Sequence, residues 1–190
     1  MKVLWFDTET TGLNAVVNDV IQLSGVIEVD GENKESFDIR CQPHNYENIS
    51  QEALDVHGIS IEELKGYQSP KKAHAEFLDI LGKYVSKFDR DDKFWPGGYN
   101  VKFDLDFVAE WFKKCGDRYF GSWQNWRALD PLPMVNLLAY SGKLPPLPNH
   151  KLETICGHFK IEIKAHDALS DVEATVKLFH IIRKELGLSE

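Results

Sequence analysis

Asp7 and Glu9 stand two residues apart after a short apolar run, and are followed by Thr10-Thr11-Gly12. Alternate residues of a strand point to the same face, so a strand through this run turns both carboxylates toward one place, about 6 to 7 Å apart. Two facing carboxylates can hold a hard divalent cation, which takes oxygen ligands. An isolated Asp-x-Glu at a strand end also reads as a solvated turn. A third carboxylate, Asp104, opens a helical pattern just after a second extended segment, where an acidic side chain commonly caps the helix and is favoured by its dipole. A fourth, Asp171, follows His166 by five residues. Five residues turn a helix by about 500°, or about 140° net, so these two cannot share a helical face. They converge if Asp167 caps the last helix, leaving His166 in the preceding loop and Asp171 in the first turn. Read alone, that segment is equally a His-Asp-x-x-Ser cap. What sets the three acidic sites apart from ordinary caps is their common placement, each at a strand end or helix start, with a histidine beside the last.

The elements that must position these residues follow from periodicity. Residues 3–6 read as a buried strand that delivers Asp7 to its end. Residues 20–29 are rich in β-branched side chains, Asp30-Gly31 is a turn signal, and residues 35–41 alternate apolar and polar, which predicts a hairpin. Ser69-Pro70 opens an amphipathic helix with Ala73, Phe77, Leu78, Leu81 and Val85 on one face. Residues 93–99 form a fourth strand broken by Pro96-Gly97-Gly98, and residues 103–115 return to helical spacing, ending at Gly116. A fifth short strand is expected at 128–130, then a helix over 131–140 and a proline-rich loop over 143–148. Two closing helices are expected over 152–159 and 168–186, the second burying Val172, Val176, Phe179 and Ile182. Strands followed by alternating helices and strands predict an α/β fold with a mixed sheet and flanking helices.

With 190 residues, 43% of them hydrophobic and 27% charged, the chain has the composition of one soluble domain covering residues 1–190. The start turns acidic after four apolar residues, too few for a signal peptide, and no later apolar run approaches the ~18 residues of a membrane span. A cytoplasmic protein without membrane contact is expected. Cys41, Cys115 and Cys156 are scattered with no CxxC spacing, which fits free thiols and neither a disulfide framework nor a cysteine zinc site. The balance of 22 Lys+Arg against 30 Asp+Glu, a formal −8, argues against an extended basic face for long nucleic acid. It leaves room for carboxylates gathered at a metal site, where two divalent cations would return positive charge for a phosphate. Salt dependence of binding should then be modest.

Phe6-Asp7-Thr8-Glu9-Thr10-Thr11-Gly12-Leu13, Asn100-Val101-Lys102-Phe103-Asp104-Leu105-Asp106-Phe107 and His166-Asp167-Ala168-Leu169-Ser170-Asp171 resemble, in this order, the three motifs of the DEDDh, or DnaQ-like, 3′-to-5′ exonucleases. That family includes proofreading subunits of bacterial replicases. Val56-His57-Gly58-Ile59 and His150-Lys151-Leu152-Glu153-Thr154-Ile155-Cys156 also look like stretches that recur at these places in the family, so the resemblance covers nearly the whole chain. It implies a ribonuclease H-like fold with a five-stranded mixed sheet. Tyr99 departs from the pattern, standing where many relatives carry a histidine before the asparagine, a position that is not a ligand. By the motif's spacing, the ligand role falls to Asp104 and not to Asp106.

The resemblance implies a metal-dependent exonuclease releasing nucleoside 5′-monophosphates from single-stranded 3′ ends, with DNA favoured by the Thr-Glu-Thr-Thr-Gly-Leu likeness to proofreading members. It makes Asp7, Glu9, Asp104 and Asp171 ligands of two Mg2+ or Mn2+ ions and His166 the general base. Asp7 would bridge the ions, Glu9 and Asp171 would bind the one that activates water, and Asp104 would support the other. An unperturbed histidine pKa of ~6.5 suits proton removal near neutral pH. The same likeness places Thr10 near the terminal 3′-OH and Leu13 against a base, with Phe103 and His57 as further substrate contacts. Trp123 and Trp126 are candidates for base stacking or for the core. An exoribonuclease of the same family, and a silent nucleic-acid-binding module on the same scaffold, are the rival readings. A polymerase partner is not specified by the sequence.

Overall fold

The computed structural model describes residues 1–164 and 167–188. Its frame is a sheet in the order β3-β2-β1-β4, formed by β1 (Lys2–Thr10), β2 (Val20–Val29), β3 (Glu32–Arg40) and β4 (Trp95–Gly97). β1 pairs antiparallel with β2 and parallel with β4, so the sheet is mixed as expected. The helices are α1 (Gln51–His57), α2 (Ile61–Gly66), α3 (Pro70–Tyr84), α4 (Lys102–Lys114), α5 (Pro131–Tyr140), α6 (Leu152–His158) and α7 (Ala168–Glu185). None of them is long and apolar enough to cross a membrane.

β1 is apolar at consecutive positions because both of its faces are covered. Leu4 and Phe6 join Leu23 and Ile27 of β2 against Phe77 and Leu81 of α3 and Phe107, Val108, Trp111 and Phe112 of α4. Val3 and Trp5, one residue out of phase, join Val26 against Val172, Val176 and Phe179 of α7. Trp5 meets the Phe179 ring edge-on at 5.1 Å, and its indole N–H donates to Glu28 Oε2 at 3.3 Å. Each fully buried side chain of this size contributes about 1.5 to 3 kcal/mol relative to exposure. A third cluster joins Val135 and Leu138 of α5, Ile155 of α6, and Leu178 and Ile182 of α7.

Two expectations are corrected. The fifth strand at 128–130 is a single parallel bridge between Gly97 and Leu129, in which Leu129 N–H donates to Pro96 O at 2.8 Å and Gly98 N–H to Leu129 O at 3.1 Å. Four strands are therefore found among the described residues. The ladder ends there because Asp130 is the cap of α5, accepting from Leu132 N–H at 2.9 Å, with Pro131 in the first turn. The expected break at Pro96 is in fact strand: Pro96 lacks only a donor, and its carbonyl accepts from Leu129, which a sheet edge tolerates. Helices α1 and α2 carry no periodic signal, since α1 buries nothing fully and α2 buries only Leu64.

Candidate active site

Strand alternation carries Asp7 and Glu9 onto the face of β1 that α7 covers, in phase with Val3 and Trp5. The last helix begins beside them. Asp167 caps α7, its carboxylate accepting from Ser170 N–H at 3.2 Å, and this puts Asp171 in the first turn, as the sequence predicts. Thr8 points to the opposite face, toward α4. Its backbone N–H and hydroxyl both donate to Asp104 Oδ1, at 3.0 and 2.7 Å, and fix the buried carboxylate at the end of β1. The strand end is thus held between the first turns of two helices.

α4 has no side-chain cap of its own. Asp130 takes that role from outside, accepting from Asn100 N–H at 3.0 Å and Val101 N–H at 3.2 Å while also capping α5. Asn100 adopts a left-handed φ of 57°, which asparagine tolerates better than most side chains. Sequence reasoning misses Asp130 because its work is done by tertiary contact; its local signal is its place before Pro131.

Electrostatically the carboxylates form one system. Asp7 is held well above the usual carboxylate range by burial, and then by the charges of Asp104, Glu9 and Asp171. Glu9 is pushed up to about 7 by burial, then by Asp171 and Asp104. Asp104 is also raised by burial, against the pull of its hydrogen bonds from Thr8. Asp7, Glu9 and Asp104 form no ion pair with a lysine or arginine among the described residues. Nor are any three acidic, histidine or cysteine side chains among those residues already closed around one point at ligand geometry. The donor set nevertheless suits hard divalent cations: oxygen atoms only, and mutually repelling.

Beside Glu9 opens a cavity of about 420 Å³ lined by Thr8, Glu9, Thr10, Leu13, His57 and Phe103, together with Ser50, Glu52, Ala53 and Val56 of the α1 region. All four residues expected to contact substrate, Thr10, Leu13, His57 and Phe103, therefore meet at one site. Leu13 is 87% exposed, an apolar side chain held at the rim. The loop that carries it is pinned: Thr11 N–H donates to Asp19 O at 2.9 Å, Ser50 N–H to Thr11 O at 2.8 Å, and Asn18 Nδ2 to Asn48 O at 2.7 Å. Gly12 lets Asn18 come this close, since a Cβ there would lie 2.6 Å from the Asn18 side chain. His57 Nδ1 accepts from Ile59 N–H at 3.0 Å, just past the left-handed Gly58 that ends α1. Family likeness singles out Val56 and His57 of this wall, but helix α1 itself escapes sequence reasoning, although the Ser50 cap and Gly58 are available signals. His166 lies outside the described residues.

Of the two tryptophans left open, Trp123 is core at 7% exposure and Trp126 is surface at 86%. Tyr99 donates its hydroxyl to His150 O at 2.5 Å, so it ties the start of α4 to the loop before α6.

The exonuclease family RNase_T matches residues 4–179. Polymerases of the DNA polymerase III PolC type resemble the chain along most of its length. That of Halalkalibacterium halodurans is 33% identical over 90% of this chain, and that of Oceanobacillus iheyensis 31% over 96%. The chain spans only 10% and 12% of those two polymerases. Among solved structures, E. coli exonuclease I in complex with a dT13 oligonucleotide superposes with a TM-score of 0.81 at 21% identity, over 98% of this chain and 42% of that one. This likeness supports the ribonuclease H-like α/β architecture. With its four-stranded mixed sheet, its flanking helices and a sequence match from residue 4 to residue 179, the chain belongs to the exonuclease family.

Proposed function

We propose that this chain, residues 1–190 acting as one exonuclease domain, removes nucleoside 5′-monophosphates from the 3′ ends of single-stranded DNA in a reaction dependent on two Mg2+ or Mn2+ ions. The observation that carries this reading is the convergence of Asp7 and Glu9, at the end of β1, with Asp104 of α4 and Asp171 of α7, all near enough to raise the Asp7 carboxyl, beside a cavity that Glu9 lines together with Leu13 and Phe103. Asp7, Glu9, Asp104 and Asp171 would hold the cations. Bound there, divalent ions supply an acidified water and charge stabilisation for in-line displacement at phosphorus.

The chain's own groups do the rest. Leu13 and Phe103 hold the terminal base by apolar and stacking contact, which tolerates any base and suits an enzyme indifferent to sequence. Thr10, a wall residue of the cavity, would meet the terminal sugar through its backbone, since its hydroxyl already donates to Gly12 O at 2.7 Å. His166, adjoining the Asp167 cap of α7, takes the proton from the attacking water. The PolC-type relatives support DNA as the substrate and a polymerase setting, and the exonuclease I bound to dT13 supports a single strand.

The test is digestion of end-labelled DNA and RNA oligonucleotides with Mg2+, Mn2+ or chelator, with Asp7→Asn as control. Stepwise shortening of single-stranded DNA from its 3′ end is expected, abolished in chelator and in Asp7→Asn. Faster shortening of RNA would make the chain an exoribonuclease. Binding without cleavage under every metal condition would make it a silent module.

A further inference from the structure

At the far end of the sheet from the carboxylates lies a second concavity, of about 780 Å³, lined by Arg90, Asp91, Lys93, Gln124, Trp126 and Arg127 among others. Three cations face it against one carboxylate, on a chain whose net charge is −8. Arg90 and Arg127 form no ion pair among the described residues, and Asp92, the next acidic group in this loop, is engaged by Lys2 at 2.6 Å. Lys93 Nζ is fixed in the wall by two carbonyls, Lys87 O at 3.0 Å and Ser122 O at 2.5 Å. Those bonds leave it one donor in hand, and its charge is only shared with Asp92, which Lys2 already engages.

Arg127 lies over two indoles, its guanidinium carbon 5.2 Å from the Trp126 ring centre and 5.8 Å from that of Trp95. Cation–π contacts of this kind help to hold the guanidinium in place and use none of its N–H donors, which suit a bidentate anion. The loop beneath is rigidly seated: Asn125 N–H donates to Phe94 O at 2.7 Å, Phe94 N–H to Trp123 O at 3.1 Å, and Arg127 N–H to Asn125 Oδ1 at 3.1 Å. Trp126, 86% exposed, offers an aromatic surface to solvent. Immobilised cations beside an exposed ring are the components of a single-strand binding surface, phosphate on guanidinium and base on indole.

We propose that this groove binds single-stranded DNA, holding the strand on the 5′ side of the end that is being cut. The inference rests on the exonuclease reading for its substrate. The register Val3 to Trp95 and the six residues from Val3 to Glu9 place the groove about 20 Å from the carboxylates at ~3.3 Å per residue. A continuous edge joins the two, running from Arg127 through Leu129, bridged to Gly97, to Asp130 at the start of α4. A strand a few nucleotides long, seated at Glu9, does not reach the groove; a longer one does. The groove thereby supplies the local positive surface that the overall charge conceals.

The test compares the wild-type chain with Trp126→Ala and Arg127→Glu, exposed substitutions with little cost to the fold. Binding of a labelled long oligodeoxythymidine is followed by anisotropy in chelator, where nothing is cut. Hydrolysis of the long strand and of a trinucleotide is followed in Mn2+. The proposal expects a Kd for the long strand weaker by roughly tenfold in Trp126→Ala. In Arg127→Glu the salt dependence should be shallower by about 0.7 in slope for each phosphate that is no longer neutralised. Trinucleotide kinetics should be unchanged in both. Equal long-strand binding by both variants and wild type, with hydrolysis intact, removes the groove and leaves the exonuclease. Arg127-dependent binding with no hydrolysis by wild type in any metal keeps the groove and removes the exonuclease. Polyglutamate binding abolished in Arg127→Glu, with oligonucleotide binding untouched, overturns the proposal and gives the groove to an acidic protein segment.

Discussion

Thr8 and Asp104, 96 residues apart, are joined twice: the Thr8 backbone N–H and its hydroxyl converge on the same Asp104 oxygen, at 3.0 and 2.7 Å. The strand that carries two of the carboxylates therefore also sets the orientation of a third. Groups that orient a ligand from behind typically account for 10- to 100-fold in metal affinity or activity. Thr8→Val keeps the β-branched shape and the backbone bond but removes the hydroxyl. The expected outcome is a half-saturating Mn2+ concentration for hydrolysis raised by about tenfold, with Thr8→Ser restoring it. An unchanged metal titration in Thr8→Val would show that the hydroxyl serves only packing.

The raised carboxylates give the metal-free chain an unusual pH dependence. Glu9 moves from 4.5 to about 7, and Asp7 and Asp104 move in the same direction. Between those values the folded chain keeps a proton that the unfolded chain has released, so stability is greatest at the acidic side of the window and is lost as pH rises through it. In chelator the thermal midpoint should fall from about pH 5 to about pH 7.5, and Glu9→Gln should flatten the decline. Mn2+ added at the higher pH should raise the midpoint, because a ligand that binds only the folded state stabilises it by mass action. A metal-free midpoint that climbs across this range, in wild type and Glu9→Gln alike, would contradict the shared field of the carboxylates.

The central features of both fold and site are legible in the sequence because they rest on local patterns. Val3 to Phe6 announce a strand buried on both faces, alternation then places Asp7 and Glu9 together, and Asp167 caps α7 as its neighbours require. The substrate residues Thr10, Leu13, His57 and Phe103 follow from family likeness, and no periodicity brings them to one cavity. What stays hidden depends on partners distant in sequence. Asp130 caps a helix that begins 28 residues before it, and a sequence pattern records no such bond. The fifth strand fails because three extended residues before a proline-started helix have room for one bridge only. Helices α1 and α2 lack an apolar stripe; their signal is in the caps, with Ser60 and Glu63 forming a reciprocal capping box.

Gly97 is the point where the edge strand touches the core. It pairs with Trp5, and a Cβ there would stand 2.3 Å from the indole. The indole has little room to yield, since it is 1% exposed and packed against Phe179 at 5.1 Å. Gly97→Ala should therefore separate β4 from β1 or expel Trp5 from its seat, costing about 1 to 3 kcal/mol as overpacking does. Gly121, which has open space at the same position, serves as the control, and Gly121→Ala should shift the denaturation midpoint little. Since β4 leads directly into Asn100 and α4, Gly97→Ala should also weaken metal activation through Asp104. Equal denaturation midpoints for the two variants would show that the β1–β4 contact yields without cost.

His166 is assigned the proton of the attacking water, and its removal separates chemistry from folding. His166→Ala should lower the single-turnover rate by roughly 10²- to 10⁴-fold, the usual contribution of a positioned general base. The rise of the wild-type rate with pH through one ionisation should disappear with it. Metal half-saturation should stay close to wild type, because the four carboxylates are untouched. A residue that merely supports the start of α7 gives the opposite pattern. Asp167 already caps that helix through Ser170, so the loss would then show as a lower thermal midpoint with the rate at saturating Mn2+ preserved. Both quantities are measured on one sample, by rapid quench and by thermal denaturation. A His166→Ala chain that keeps the wild-type chemical rate and the acidic limb of its pH profile takes the histidine out of the reaction and leaves proton removal to solvent.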